Sequence, residues 1–225
     1  MKKRLLIVLC LCVTSLSIAQ INEVGFFVGG TNYVGDIGRT NYILPSKPAI
    51  GLIYKWNWNP RIAVRGTYSY LPIEGKDSRS DNQIRVNRNI SFSNTINELA
   101  VGIEFNFFEY DLSSDDKTHT PYILAEFVAY DYKTVKSEPT PGSYLYQNTT
   151  GYAIPFGIGY KSRFLGKLAI AVEARFRYTL KDDLDYTTSN ISSLNFGGNG
   201  DDWYMFTGVS LVYTFGRPAC YADPK

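Results

Sequence analysis

From Lys47 to Tyr70 large and small residues alternate with a period of two, interrupted only at Trp58-Asn59-Pro60-Arg61. Pro48, Ile50, Leu52, Tyr54, Trp56 and Trp58 fall on one face, with Lys47, Ala49, Gly51, Ile53, Lys55 and Asn57 on the other. Past the Asn-Pro turn, Ile62, Val64, Gly66, Tyr68 and Tyr70 alternate with Arg61, Ala63, Arg65, Thr67 and Ser69. Such alternation predicts two strands joined as a long β-hairpin. One face is large and apolar with aromatics at its ends, while the other mixes Gly, Ala, Ser and Thr with Lys and Arg. A water-soluble sandwich has little reason to alternate Gly and Ala with bulky residues. A narrow transmembrane barrel does: bulk faces lipid, and small or ion-paired residues fill a cramped interior.

The same two-faced composition recurs along the chain. A first strand sets Val24, Phe26 and Val28 against Glu23, Gly25, Phe27 and Gly29, and the hairpin supplies the second and third. A fourth sets Leu99, Val101, Ile103, Phe105 and Phe107 against Glu98, Ala100, Gly102, Glu104 and Asn106. The fifth, Tyr122 to Lys133, holds Glu126 among apolar neighbours, and its faces stay unassigned. In the sixth, Tyr152, Ile154, Phe156, Ile158 and Tyr160 oppose Ala153, Pro155, Gly157, Gly159 and Lys161. In the seventh, Leu168, Ile170, Val172, Ala174, Phe176 and Tyr178 oppose Ala169, Ala171, Glu173, Arg175, Arg177 and Thr179. The last, Trp203 to Phe215, puts Met205, Val209, Leu211 and Tyr213 outward. The expectation is an all-β fold: an eight-stranded antiparallel up-and-down transmembrane β-barrel over residues 20–215.

Connections after the second, fourth and sixth strands read as shorter than those after the first, third, fifth and seventh. Short turns belong on the periplasmic side, so both termini are expected there. Aromatic belts are expected at both interfaces: Trp56, Trp58, Phe105, Phe107, Tyr160, Tyr213 and Phe215 at the periplasmic end, and Tyr68, Tyr70, Phe176, Tyr178 and Trp203 at the outer end. Ordinary core aromatics of a soluble β-protein are the bland alternative.

Ahead of the first strand, Lys2-Lys3-Arg4, an apolar run from Leu5 to Val13 and the small-residue stretch Ser17-Ile18-Ala19 read as a secretory signal peptide over residues 1–19, cut before Gln20. It takes Cys10 and Cys12 with it. It also removes three bases and no acid, so the formal charge of +2 becomes −1. With no basic cluster, nucleic acid is not an expected partner. The remaining cysteine, Cys220, stands on a tail, residues 216–225, expected to be periplasmic, where it has no internal disulfide partner.

Inward positions collect both signs of charge, including Arg61, Arg65, Glu98, Glu104, Glu173, Arg175 and Arg177, with Glu23, Lys55 and Lys161 beside them. Eight strands leave a lumen just wide enough for side chains, so these groups are expected to pair and form a plug, not a pore. Acid–base chemistry by Glu98 and Glu104 is the weaker reading, because they lie two apart on one strand among bases. The run Gly29 to Gly38 lacks the Lys-Ser/Thr and helix of a P-loop. With one histidine, His119, expected in a periplasmic turn, there is no ligand cluster for zinc or iron. No cofactor is expected.

The run N-E-V-G-F-F-V-G-G-T-N-Y-V-G-D from Asn22 to Asp36 resembles the opening of PorG-like barrels of the Bacteroidota type IX secretion system. R-I-A-V-R-G-T-Y-S-Y-L-P-I-E-G-K-D from Arg61, F-N-F-F-E-Y from Phe105 and P-Y-I-L-A from Pro121 are similar to the same family, and Glu126 departs from it. The resemblance implies an integral outer-membrane partner of a periplasmic ring built from a lipoprotein and a second subunit (PorK/PorN, or GldK/GldN in gliding bacteria). It implies a non-enzymatic anchor in a machine that exports folded cargo. Cys220 is then a candidate for a disulfide with the ring lipoprotein. Two other classes stay open: a small barrel for adhesion or envelope integrity, acting through loops at Ser69 to Phe92, Thr134 to Thr150 and Lys181 to Asp202, and an outer-leaflet lipid enzyme.

Overall fold

The computed structural model describes residues 21–113, 117–196, 200 and 202–216. Eight strands carry the fold: β1 (Ile21–Val34), β2 (Lys47–Asn59), β3 (Ile62–Lys76), β4 (Ser91–Asn106), β5 (His119–Thr140), β6 (Ser143–Leu165), β7 (Leu168–Thr179) and β8 (Trp203–Gly216). Each pairs antiparallel with the next. β1 also pairs with β8, Gly25 opposite Val212 and Thr31 opposite Phe206, which closes an up-and-down barrel. Closure leaves no free edge in the strand body. Gly216, assigned to a tail by the sequence pattern, is the last residue of β8.

The faces segregate as alternation requires. Leu52, Leu99 and Ile158 stand outward with 63%, 65% and 62% of their surface exposed, while Lys55, Glu104 and Arg177 are buried inside. Water would not tolerate a contiguous outer band of Leu, Ile, Val and Phe over a polar interior, whereas a bilayer requires one. Among the described residues no helix is long and apolar enough to cross a membrane, which says nothing of strands.

Inward glycines are sites where the lumen is already full. A Cβ on Gly51 would strike the Phe27 ring, one on Gly159 the Tyr122 ring, and one on Gly157 would meet Arg175 Cγ at 3.1 Å. The strands thus fit large against small across the barrel. Gly159→Leu is accordingly expected to displace Tyr122 and cost about 2–3 kcal/mol through overpacking, read as a lower midpoint in urea titration of the protein in detergent.

β5 is longer than its sequence signal, and its faces are now assigned: Tyr122, Leu124, Glu126, Val128, Tyr130 and Tyr132 point in, and Ile123 and Phe127 point out. Its ladder with β6 lacks pairs between Ala125↔Phe156 and Val128↔Ala153, where Pro155 has no N–H to donate. Beyond the barrel, β5 and β6 continue as a hairpin turning at Pro141-Gly142. The expected loop from Thr134 to Thr150 is therefore strand. Of Ser69 to Phe92, residues 69–76 and 91–92 are strand, and the connection between them holds a short 3-10 turn (Asp77–Arg79) and a one-turn helix α1 (Gln83–Arg88). The expected ranking of connections also fails at two places: residues 107–118 after β4 match in length residues 35–46 after β1, and the turn after β5, residues 141–142, is as short as those after β2 and β6.

Candidate functional site

The barrel interior is one ladder of charge. At the end where β2–β3, β4–β5 and β6–β7 connect, hereafter the turn end, Glu104 accepts from Lys55 Nζ at 2.8 Å and from Lys161 Nζ at 2.5 Å, with Arg65 Nη1 at 3.5 Å. Arg65 forks onto Glu173, Nη1 to Oε2 at 2.8 Å and Nη2 to Oε1 at 2.9 Å. Tyr122 Oη donates to Glu173 at 2.8 Å, and Arg175 Nε lies 3.1 Å from the same carboxylate. Glu98 takes Arg177 at 2.8 and 2.5 Å, Tyr204 Oη at 2.9 Å and Ser69 Oγ at 3.0 Å. Bidentate Arg–carboxylate pairs of this kind are the strong form of ion pair; Arg175, whose guanidinium donates no hydrogen bond, is held among them by charge, with Glu173 at 3.1 Å and Glu126 at 3.9 Å.

Aromatic rings line the same ladder. Arg175 lies between Phe27 and Phe206, 4.6 and 4.7 Å from their centroids, and Lys161 lies 4.1 Å from that of Tyr110. Cation–π contact in a desolvated site adds to the ion pairs.

Lys47, also expected inside, lies at the rim opposite the turn end with its side chain 35% exposed and Nζ 3.2 Å from Glu74, and Arg61 is the second exception among the residues expected inside. It sits in the β2–β3 turn, exposed, donating to the Phe107 carbonyl and lying 3.4 Å from Glu109. The alternation that placed it inward ends one residue before, because the turn carries it out over the rim. Glu126, unassigned from sequence, belongs to the ladder, 3.5 Å from Arg65 Nε and 3.9 Å from Arg175 Nη1.

Both mouths are stoppered. At the turn end, residues 107–113 fold inward so that Tyr110 and Leu112 are buried, and Tyr110 N–H donates to the Pro60 carbonyl at 3.0 Å. This explains the length of that connection. At the opposite, loop end, the long β7–β8 connection drops Leu184 into the barrel, fully buried. Asn94 Nδ2 donates to its carbonyl at 2.8 Å, and its N–H donates to Asp202 Oδ2 at 3.0 Å.

The loop-end cap has its own electrostatics. Burial works against a charge on Asp77, yet the guanidinium of Arg88 and the N–H groups of Gly38 and Ile90 outweigh it and hold Asp77 below its ordinary range. Asp202 goes the other way. Burial first, then the neighbouring Asp185 carboxylate, push it up to about 9, against the donors Tyr33 Oη and Leu184 N–H.

Of the expected aromatic belts, Trp58, Phe107, Tyr160, Tyr213 and Phe215 are exposed near the turn end, with Trp56 half-buried and Phe105 edge-on to Phe107 at 5.8 Å. Tyr68 and Tyr70 are exposed toward the loop end, where Tyr178 meets Trp203 at 5.0 Å and Phe156 stacks on Phe176 at 5.6 Å. Met205 lies on the outward side of the ladder but is covered. His119 opens β5 at the turn end, stacked on Tyr160, whose hydroxyl is 2.7 Å from Nδ1. Among the described residues no group of three His, Cys, Asp or Glu side chains gathers to hold a metal. The signal peptide, Asp115, Asp116 and Cys220 lie outside the described residues.

A family model described as a domain of unknown function, DUF6089, matches residues 2–224. The chain belongs to the DUF6089 family. No curated protein is significantly similar to it in sequence. Solved structures similar to this member of DUF6089 are small barrels. Ail of Yersinia pestis, solved with the heparin analogue sucrose octasulfate, is 11% identical, covering 88% of this chain and 100% of that one at a TM-score of 0.45. The N-terminal β-barrel domain of Pseudomonas aeruginosa OprF is 12% identical, covering 88% and 98%, at 0.45. The outer membrane protein OprG of the same species is 8% identical, covering 89% and 97%, at 0.44. Likeness at this level says nothing of what the present chain binds.

Proposed function

We propose that this barrel sits in the bacterial outer membrane and serves as a non-enzymatic anchor of the type IX secretion machinery, tying the periplasmic ring to the membrane. The observation that carries the reading is the stoppered lumen: ion pairs fill it, Tyr110 and Leu112 close one mouth and Leu184 the other. A protein built this way holds position in lipid without conducting anything through itself. The segments from Asn22, Arg61, Phe105 and Pro121 that resemble PorG-like barrels direct the choice of machine. The partners are then a PorK- or GldK-like ring lipoprotein and its PorN- or GldN-like companion, with the turn end and the tail periplasmic.

The test is mild-detergent affinity purification of the tagged protein from its own outer membrane, run on reducing and non-reducing gels. The ring lipoprotein is expected to co-purify. Cys220→Ser is expected to abolish a reductant-sensitive shift of the complex; an unchanged mobility in the variant removes the disulfide and leaves the anchor reading to the co-purification alone.

The elaborated loop end favours a second reading, a barrel that acts outside the cell through its cap. Deleting the tip of the β5–β6 hairpin is expected to abolish function in that case and spare it in the first. Loss of residues 217–225 is expected to do the reverse.

A further inference from the structure

At the loop end, the β1–β2 connection and the end of β3 border an open groove of about 240 Å³ that the anchor reading does not use. Arg39, Lys76 and Arg79 line it, and Lys47 stands beside it at the start of β2. One acid answers these bases. Glu74 lies 3.2 Å from Lys47 Nζ, 3.4 Å from Lys76 Nζ and 3.2 Å from Arg79 Nη1. Arg39 is held against Arg79 instead, its Nε donating to the Arg79 carbonyl at 2.6 Å, and among the described residues no carboxylate comes within 4 Å of it. Asp77 belongs to Arg88, and Asp81 stands outside the lining. Four bases against one acid leave a formal excess of three positive charges. A concave surface charged in this way draws an anion into it.

The groove also lies at the height of lipid headgroups. Tyr70 of the outer belt pairs with Ile50, and Lys47 and Glu74 follow three and four residues farther along β2 and β3. At about 3.3 Å per residue on strands tilted by about 40°, they stand roughly 7–10 Å beyond the belt, on the scale of the headgroup layer. Next to the groove, Tyr42, Ile43 and Leu44 are 53%, 60% and 40% exposed, a contiguous apolar run that water gives no reason to present. Leu44 forms part of the groove wall, and the Tyr42 ring meets Trp203 of the outer belt edge-on at 6.5 Å. One connection thus brings a base to the groove at Arg39 and an apolar run down to the belt.

We propose that this groove binds the phosphate of an outer-leaflet lipid, with the phosphate oxygens on Arg39, Lys76 and Arg79 and the apolar body of the lipid against Tyr42, Ile43 and Leu44. Guanidinium groups match phosphate oxygens in a fork, and basic pockets beside the hydrocarbon select anionic headgroups. A free phosphate ion uses the bases alone and gains nothing from the apolar run, so the two features together favour a lipid. The assignment shares with the anchor reading only the outward orientation of the loop end, and binding measured in detergent succeeds or fails whatever the barrel anchors.

The test uses the full-length protein in a neutral detergent, titrated with bisphosphorylated lipid A, with the same lipid stripped of its phosphates, and with inorganic phosphate as competitor, bound lipid being read by native mass spectrometry. The phosphorylated lipid is expected to bind at least about tenfold more tightly than the stripped one, and to weaken as sodium chloride is raised. Arg39→Gln with Arg79→Gln is expected to weaken it at least about tenfold at an unchanged melting temperature, since both side chains are exposed. Arg61→Gln removes an exposed base at the turn end and is expected to leave binding as it was. Ile43→Ser with Leu44→Ser is expected to weaken the lipid several-fold. Displacement of the lipid by an equal concentration of inorganic phosphate makes this a free-anion site and overturns the lipid assignment. Equal binding of the phosphorylated and stripped lipids, no binding of either, no loss in the double arginine variant, or an equal loss in Arg61→Gln also overturns it.

Discussion

Glu104→Ala is expected to lower the unfolding free energy by about 3–5 kcal/mol, the cost of leaving buried charges without their partner. Glu104 is the one carboxylate within 4 Å of both Lys55 and Lys161 among the described residues. Arg65, its third neighbour, keeps Glu173. The loss therefore falls on two buried ammonium groups that have no second carboxylate within 4 Å among the described residues, Glu23 acting on Lys161 and Glu173 on Lys55 only from farther away. Urea titration of the protein in lipid vesicles reads the effect. The triple variant Lys55→Met, Glu104→Leu, Lys161→Met removes the charges together, and it is expected to recover most of the loss because an apolar replacement escapes the desolvation penalty. A wild-type-like midpoint for Glu104→Ala contradicts the packing of the ladder.

The cap is expected to loosen as pH rises. Asp202 is pushed up to about 9 in the folded protein by burial and by Asp185, against an ordinary value near 4. A raised folded-state pKa means that the folded cap holds a proton which the unfolded chain has lost. Its contribution is complete below pH ~4 and is lost progressively toward pH ~9. The groups facing Asp202 are Tyr33, Asp185 and Asp182, and Asp36 and Arg88 face Asp185. The amide of Leu184, which donates to Asp202, reports directly. Its hydrogen-exchange protection, normalised for intrinsic rate, is expected to fall at least about tenfold between pH 5 and pH 8, a change of one pKa unit's worth of free energy. Asp202→Asn is expected to flatten the profile. Protection that rises with pH reverses the assignment.

Strand alternation was legible wherever the two faces differ in size. β2, β4, β6 and β7 carry Gly or Ala inward opposite Leu, Ile and aromatics, and their faces agree with the structure. β5 was not legible for a reason that lies on its neighbour. Its inward row is as bulky as its outward one, because Gly151 and Gly159 of β6 leave the space that Tyr130 and Tyr122 occupy. Glu126 then looked misplaced along the sequence, although across the barrel it meets Arg65 and Arg175. Arg61 shows the converse error, since a periodic pattern has no sign of where a strand stops and a turn begins.

The strands also outrun the lipid. Past Tyr70 on β3 and past Tyr132 on β5 the outward face no longer needs to be apolar, so the contrast fades and the hairpin arms read as loops. Cap residues were the least legible. Asp185, Tyr186 and Leu184 lie in a stretch without periodicity, and what they do depends on Asn94, Asp202 and Tyr146, distant in the chain. In sequence alone the one available hint was a run of aspartates from Asp182 to Asp185 interrupted by a leucine, Leu184, that a solvated loop does not require.

The claim on which the anchor reading rests is a membrane-spanning barrel with no passage through it. Reconstitution of the purified protein into planar bilayers, with current recorded across the membrane in concentrated potassium chloride, tests that claim most directly. Insertion is verified by protection of the barrel from protease in the same lipid. The expected result is protected protein with no discrete conductance steps. Stable ohmic steps from the wild-type protein contradict the stoppered lumen and make the barrel a conduit.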